Sequence, residues 1–241
     1  MSRAMNQALA RQLEVAALEP KVKCVVLTGA GKGFCAGGDV KGMAASGDGT
    51  VGAATLDEAI HRQRVNQRET AGALFKMPKP TLAALPGPAA GAGLSLALAC
   101  DLRIMASTAI LTTAFARVGF SGDYGGTYFM TQLVGAAKAR ELYFLSERVS
   151  AEEALRLGLV NWICAPEDLI ARAREIARRL ASGPTVVYRY MKENLNRAMN
   201  RDVDDCLDLE ATHHIHCGQT EDHREASRAF VEKREPVFRG R

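Results

Sequence analysis

Two short apolar runs in this 241-residue chain each give way to a glycine-rich turn, and that repeated order constrains the fold more than any other feature. Cys24-Val25-Val26-Leu27-Thr28 is rich in β-branched residues and ends at Gly29, which predicts a buried strand. Thr81 to Leu85 repeats the theme and leads into Gly87-Pro88-Ala89-Ala90-Gly91-Ala92-Gly93. A small-residue helix from about Gly91 to Ala99 and a strand from Leu102 to Met105 follow. A chain that cycles through strand, turn and helix in this way builds an α/β fold. With 47% hydrophobic residues it has material for a sizeable core.

Ahead of the first strand, Leu9 to Leu18 carries apolar residues at helical spacing. Between the two turns, the Gly/Ala/Ser-rich stretch from Gly42 to Thr55 predicts a mobile loop. A charged helix from about Leu56 to Phe75 comes next, stopped by Met77-Pro78-Lys79-Pro80. Ser150-Ala151-Glu152-Glu153 is a capping box, in which the serine oxygen accepts the third amide and Glu153 reaches back. Gly158 ends that helix, Leu159 to Ile163 has strand composition, and amphipathic helix dominates from Pro166 onward. The expected division is a core over 1–165 and a helical region over 166–241.

Charge and cysteine usage narrow the function. Lys+Arg 31 against Asp+Glu 27 gives a net charge of +4 without basic runs, which gives nucleic-acid binding little support and suits a phosphorylated small molecule. The six cysteines, at 24, 35, 100, 164, 206 and 217, form no CxxC pair and are expected to be reduced thiols in a cytoplasmic protein. Neither an apolar leader nor a membrane-spanning run is visible. His213, His214, His216 and Cys217 resemble metal ligands only superficially. Neighbouring helical positions face different ways, so surface or subunit-contact histidines are expected and no metal site. Gly31-x-Gly33-x-x-Ala36 with Asp57 downstream fits a dinucleotide fingerprint loosely. A P-loop reading fails because Gly33 stands where Ser or Thr must bind the metal and Val26 where the first glycine belongs. A plain tight turn before a helix accounts for the first glycine pair but leaves the second turn unexplained.

Taken in order, five segments resemble the crotonase superfamily, the enoyl-CoA hydratase/isomerase family. They are Gly33-Phe34-Cys35-Ala36-Gly37-Gly38-Asp39, Gly91-Ala92-Gly93 leading to Ala99-Cys100-Asp101, Gly125-Gly126-Thr127, Val149 to Asn161, and Ala229 to Phe238. The resemblance implies a spiral of ββα units with a helical C-terminal trimerisation region, assembled as a homotrimer or dimer of trimers. It implies an acyl-CoA thioester substrate, with coenzyme A part of that substrate and no separate cofactor. Ala36 and Ala92 would supply two backbone N–H groups to the thioester oxygen, the second from a helix N-terminus whose dipole favours negative charge. Cys35, Gly37, Gly38, Asp39 and Gly91 belong to these substrate-binding turns. Lys233 and Phe230 sit in the terminal motif through which the family approaches coenzyme A, although a lysine on a charged helix face is ordinarily just solvated. The family also carries two strands ahead of the opening helix, and those strands are expected to be missing here.

The acid/base positions depart from the pattern of the family's hydratases, which use two glutamates. Ser95 occupies the first position and Phe115, part of the substrate wall, the second. Some isomerases and hydrolytic members carry a working aspartate eight residues after the second position, and here that is Asp123. A carboxylate desolvated in an apolar cleft can act as base and then as acid near neutral pH. The favoured expectation is therefore an isomerase that moves a double bond by proton transfer. The alternatives are a hydratase or acyl-CoA hydrolase in which Asp123 activates water, and a non-catalytic acyl-CoA-binding homologue. The plain alternative for Asp123 itself is a turn residue, since Asp and Gly are ordinary in turns. Arg117 lies near it in sequence and is read as solvated. Ser95 lacks an evident histidine partner for nucleophilic chemistry.

Overall fold

The structure is a computed structural model that describes residues 1–39 and 55–241. The loop expected from Gly42 to Thr55 lies outside the described residues, apart from Thr55 itself. Helix α1 (Arg3–Leu18) begins well ahead of Leu9, because the Ser2 side chain accepts the Met5 N–H at 3.2 Å and so caps the helix. Strand β1 (Val25–Thr28) follows. Helix α2 (Leu56–Gln67) runs through a π-turn (Arg68–Gly72) into α3 (Ala73–Lys76) and stops before Pro78.

The strands then alternate between two sheets. In chain order the elements are β2 (Thr81–Leu85), β3 (Ala89–Ala90), α4 (Ala92–Leu98), β4 (Leu102–Ala106), β5 (Ile110–Thr112), α5 (Gly126–Leu145), β6 (Val149–Ser150), α6 (Ala151–Arg156) and β7 (Trp162–Cys164). The first sheet is parallel, in the order β1-β2-β4-β7; the second runs β3-β5-β6. After β1, β2 and β4 the chain passes from the first sheet to the second, reaching Cys35, β3 and β5 in turn. Cys35 bridges Ala89 in parallel and β3 pairs with β5 in parallel, so the same crossover is made three times. This is the expected ββα repeat, and it lines up the three crossover turns. Leu82, Leu85, Leu96, Ile104, Met105 and Leu111 are fully buried, those of β2 and β4 on both faces of the first sheet.

Three local expectations are corrected. β1 is an edge strand with alternating exposure, Val26 being 40% exposed, because β-branched composition marks a strand but not how many neighbours it gains. Ser150 does accept the Glu153 N–H at 3.2 Å, but the Glu153 carboxylate turns to Arg156 at 2.5 and 2.7 Å instead of reaching back. A forked guanidinium outcompetes one backbone amide. The reciprocal box forms at Thr55 and Glu58. Strand β7 starts only at Trp162, since the Leu159 and Val160 amides fold back onto Ala154 O and Asn161 brackets the peptide of Arg103.

Beyond Pro166 the described chain is helical: α7 (Leu169–Ala181), α8 (Thr185–Ala198), α9 (Val203–Gly218) and α10 (Glu221–Glu232). Helix α7 packs on the first sheet. Helix α8 is pinned by Lys192, whose Nζ donates to Asp101 Oδ2 at 2.8 Å and to Leu74 O at 3.1 Å. His213 is buried, with Nδ1 2.6 Å from Asn194 Oδ1 and its ring against Tyr190, so this histidine joins α9 to α8 and is not on the surface. Arg103 is 4% exposed and donates to the carbonyls of Leu159 at 2.7 Å, Cys100 at 2.5 Å and Leu98 at 3.5 Å. It thereby closes the C-terminal end of α4 with a positive charge. Among the described residues, no helix is long and apolar enough to cross a membrane.

Candidate active site

The crossover geometry draws the two glycine-rich turns together. Phe34 and Cys35 donate their amides to Pro88 O at 3.1 and 3.2 Å, and Ala90 returns its amide to Cys35 O at 2.9 Å. Gly93 must be glycine here, since a Cβ would run into the Cys35 backbone and lie 2.6 Å from its Cβ. Gly37 approaches from the other side: a Cβ there would lie 3.5 Å from the nitrogen of Ala92. Ala92 is the first residue of α4, and neither its N–H nor that of Ala36 has an acceptor among the described residues. Two free amides on facing turns, one on a helix N-terminus, are suited to an oxygen that gains negative charge.

Asp123 lies in the turn that enters α5. The turn is held from two directions. Asn6 Nδ2 of α1 donates to the Tyr124 hydroxyl at 3.0 Å, and Gln67 Oε1 of α2 accepts the Tyr124 N–H at 2.6 Å. These bonds support a left-handed backbone at Tyr124 (φ 50), which a non-glycine residue adopts only when its surroundings impose it. Asp123 Oδ1 is buried with no partner among the described residues. Burial pushes its carboxyl up to about 6, with the amino terminus of Met1 pulling it down in part. The carboxylate in turn adds to burial in pushing up the phenols of Tyr124 and Tyr143.

Phe115 links the two halves. Its ring stacks on Tyr143 at 5.8 Å and 13°, and its edge lies 3.6 Å from where a Cβ on Gly91 would be. Ser95 is 1% exposed inside α4, with Oγ donating to Gly91 O at 3.3 Å. Thus Cys35, Ala36, Gly37, Gly91, Ala92, Phe115 and Asp123 form one neighbourhood, with Gly38 and Asp39 on its exposed side next to residues 40–54. Lys233 ends α10 in a left-handed conformation, exposed to solvent. Arg117 is exposed, and Asp123 feels burial and the amino terminus, not Arg117. An apolar groove of about 420 Å³ between α5 and α8, lined by Phe75, Phe129, Leu133, Met191 and Leu195, shares no residue with this neighbourhood. No cluster of three or more metal-ligating side chains occurs among the described residues.

Sequence reasoning missed Asn6, Gln67 and Tyr143. Their contacts bridge long stretches of chain, 118 residues for Asn6 and 57 for Gln67, and no local spacing announces them. The glycines around Tyr143 were the available signal.

Facing amides beside a desolvated carboxylate define the class: a site able to hold an anionic oxygen while a proton moves. The family described as enoyl-CoA hydratase/isomerase matches residues 1–241. The 1,2-epoxyphenylacetyl-CoA isomerase of Escherichia coli is 36% identical over 237 residues, covering 98% of this chain and 88% of the relative. The short-chain-enoyl-CoA hydratase of Clostridium acetobutylicum is 36% identical over 217 residues, covering 90% and 80%. The crystal structure of an enoyl-CoA hydratase from Bacillus anthracis superposes with a TM-score of 0.90 at 32% identity, covering 100% of this chain and 90% of that one. The chain belongs to the enoyl-CoA hydratase/isomerase family of the crotonase superfamily, a family of acyl-CoA enzymes.

Proposed function

We propose that this protein is an enoyl-CoA isomerase in which Asp123 is the acid/base group. The observation that carries the reading is the Asp123 carboxyl, partly withdrawn from water and raised to about 6, in the same neighbourhood as the free amides of Ala36 and Ala92. Asp123 would take a proton from one carbon of the acyl chain. The electron pair of that C–H bond passes into the thioester carbonyl as an enolate or dienolate, which the two amides stabilise. The carboxylic acid so formed returns the proton to a different carbon, and the double bond has moved. The reaction is redox-neutral and its coenzyme A arrives with the substrate. Ser95 and Phe115, at the positions where the family's hydratases hold glutamates, support proton transfer over hydration.

The second reading follows from the relative named a hydratase: Asp123 would activate water for hydration or hydrolysis. Incubating enoyl-CoA substrates in heavy-oxygen water separates the two. Double-bond migration without label in the product is the expected result, and label in the product selects the water reaction. No turnover across a panel of acyl-CoAs, with binding intact, leaves a non-catalytic binding protein. We also place the protein in a homotrimer or dimer of trimers. Exposed apolar residues on the C-terminal helices, among them Leu195, Ile215 and Phe230, support that assembly.

A further inference from the structure

Asp123 opens a four-residue turn that the Gly126 N–H closes by donating to Asp123 O at 3.0 Å. Both central residues have positive φ, Tyr124 at 50 and Gly125 at 74. That is the type I′ arrangement, which ordinarily takes glycine, asparagine or aspartate at both places. Glycine suits position 125; a tyrosine at 124 is there against its own preference. An ordinary type II turn also accepts Gly125 as it stands, with φ 74 and ψ 10, but returns the residue before it to a φ of about −60°. Rotation of Tyr124 about its N–Cα bond toward that value turns the peptide linking it to Asp123. Here that peptide is held at both of its polar groups, the carbonyl by Gly126 and the N–H by Gln67 Oε1 at 2.6 Å. Gln67 is the last residue of α2, where the helix widens into the π-turn Arg68–Gly72. The π-turn buries Thr70 and Ala71 and packs against α1 and α4, which brings the end of α2 over the Asp123 turn. Such interruptions are frequent in helices that serve a site. The Tyr124 side chain has a separate anchor, since its hydroxyl accepts from Asn6 Nδ2 at 3.0 Å.

We infer that Gln67 is the positioning residue for Asp123: by accepting the N–H of the Asp123–Tyr124 peptide, it holds the turn in its left-handed form and the carboxylate in the site. The inference rests on the reading of Asp123 as the acid/base group. Gln67→Met isolates the effect, because the side chain keeps its length while a methyl group replaces the acceptor. Gln67→Glu is the conservative counterpart, since its carboxylate still accepts the N–H.

The test compares the parent, Gln67→Met, Gln67→Glu and Asp123→Asn in isomerisation of a short-chain 3-enoyl-CoA at about pH 8, following the conjugated enoyl absorbance, with circular dichroism on each. For Gln67→Met, kcat is expected to fall about tenfold with KM changed less than about twofold, because the acyl-CoA contacts stay and the reacting group is displaced. Gln67→Glu should recover kcat to within about threefold of the parent. If Gln67→Met does not fold, Gln67→Asn takes its place, its amide one methylene too short to reach the N–H, and the same fall in kcat is expected. Parent kcat in the folded variant that lacks the acceptor, or a change confined to KM, would overturn the inference while an inactive Asp123→Asn left the Asp123 reading standing. So would an equal loss in Gln67→Glu, which would assign the effect to packing and not to the acceptor. A parent without isomerase activity, or an Asp123→Asn variant as active as the parent, would overturn that reading and the inference with it.

Discussion

The amide of Ala90 donates to the carbonyl of Cys35 at 2.9 Å, and this bond ties together the two turns that carry the Ala36 and Ala92 amides just beyond it. A sheet hydrogen bond thus registers the two proposed oxyanion donors. Their geometry is inherited from the fold and does not rely on side chains.

Asp123→Asn should nearly abolish turnover. A general base contributes typically about 10²- to 10⁴-fold in rate, while the backbone donors and acyl-CoA binding remain. Steady-state rates beside an acyl-CoA binding isotherm make the check, and near-parent turnover in a folded variant sinks the assignment.

The raised Asp123 carboxyl also predicts how activity and stability follow pH. kcat/KM should rise with pH through about 6 as the base ionises. For stability the sign is opposite. The folded value lies above the ordinary 3.8, so the fold favours the protonated form. That contribution is complete below the ordinary value and is lost as pH climbs through about 6. Asp123→Asn cannot ionise and should therefore gain on the parent between pH 4.5 and 7.5, by roughly 1–3 kcal/mol. Urea titrations at both pH values measure it. A stability difference that stays constant with pH would show that the carboxyl is not desolvated.

Ala92→Pro removes one proposed donor and places a ring where the thioester oxygen would lie. Loss of a single oxyanion donor costs on the order of 10²- to 10³-fold in kcat, and proline is tolerated at the first position of a helix. Circular dichroism should show a folded protein with turnover reduced by that factor. A folded variant that matches the parent would remove the Ala92 amide from the mechanism.

Restoring both glutamates, Ser95→Glu with Phe115→Glu, should not produce a good hydratase. Phe115 is 7% exposed and Ser95 1%, and the first loses its stack on Tyr143 while the second crowds Gly126. A glutamate buried in either place without partners would be protonated, and together they should cost roughly several kcal/mol of stability. Melting curves read beside crotonyl-CoA hydration decide the matter. A stable double variant with brisk hydration would mean that the site is a hydratase lacking two side chains.

The parts of this fold legible in the sequence were those fixed by local chemistry. The glycine turns, the stop at Gly158 and the strand from Thr81 to Leu85 are each encoded within a few residues, and the structure reproduces them. What composition could not supply was the neighbour across the fold. Val26 looks like a core residue and lies on an edge strand; His213 looks like a surface residue and is enclosed by Asn194 and Tyr190. Glu153 shows the same limit at short range, since the choice between a backbone amide and Arg156 depends on which partner arrives with better geometry. For the candidate site, the turns and Asp123 were visible, whereas the supports at Asn6, Gln67 and Tyr143 come from separate helices.

Arg103 gives the last point. Its guanidinium clamps the carbonyls at the far end of α4, a rod of seven residues and about 10 Å whose other end carries the Ala92 amide. So short a rod passes a displacement along and does not absorb it. Damage at Arg103, which also strands three buried carbonyls, should accordingly register both as a loosened protein and as slowed chemistry. A survey of variants scored by turnover alone would then rank Arg103 among the reacting groups, although it touches nothing that reacts.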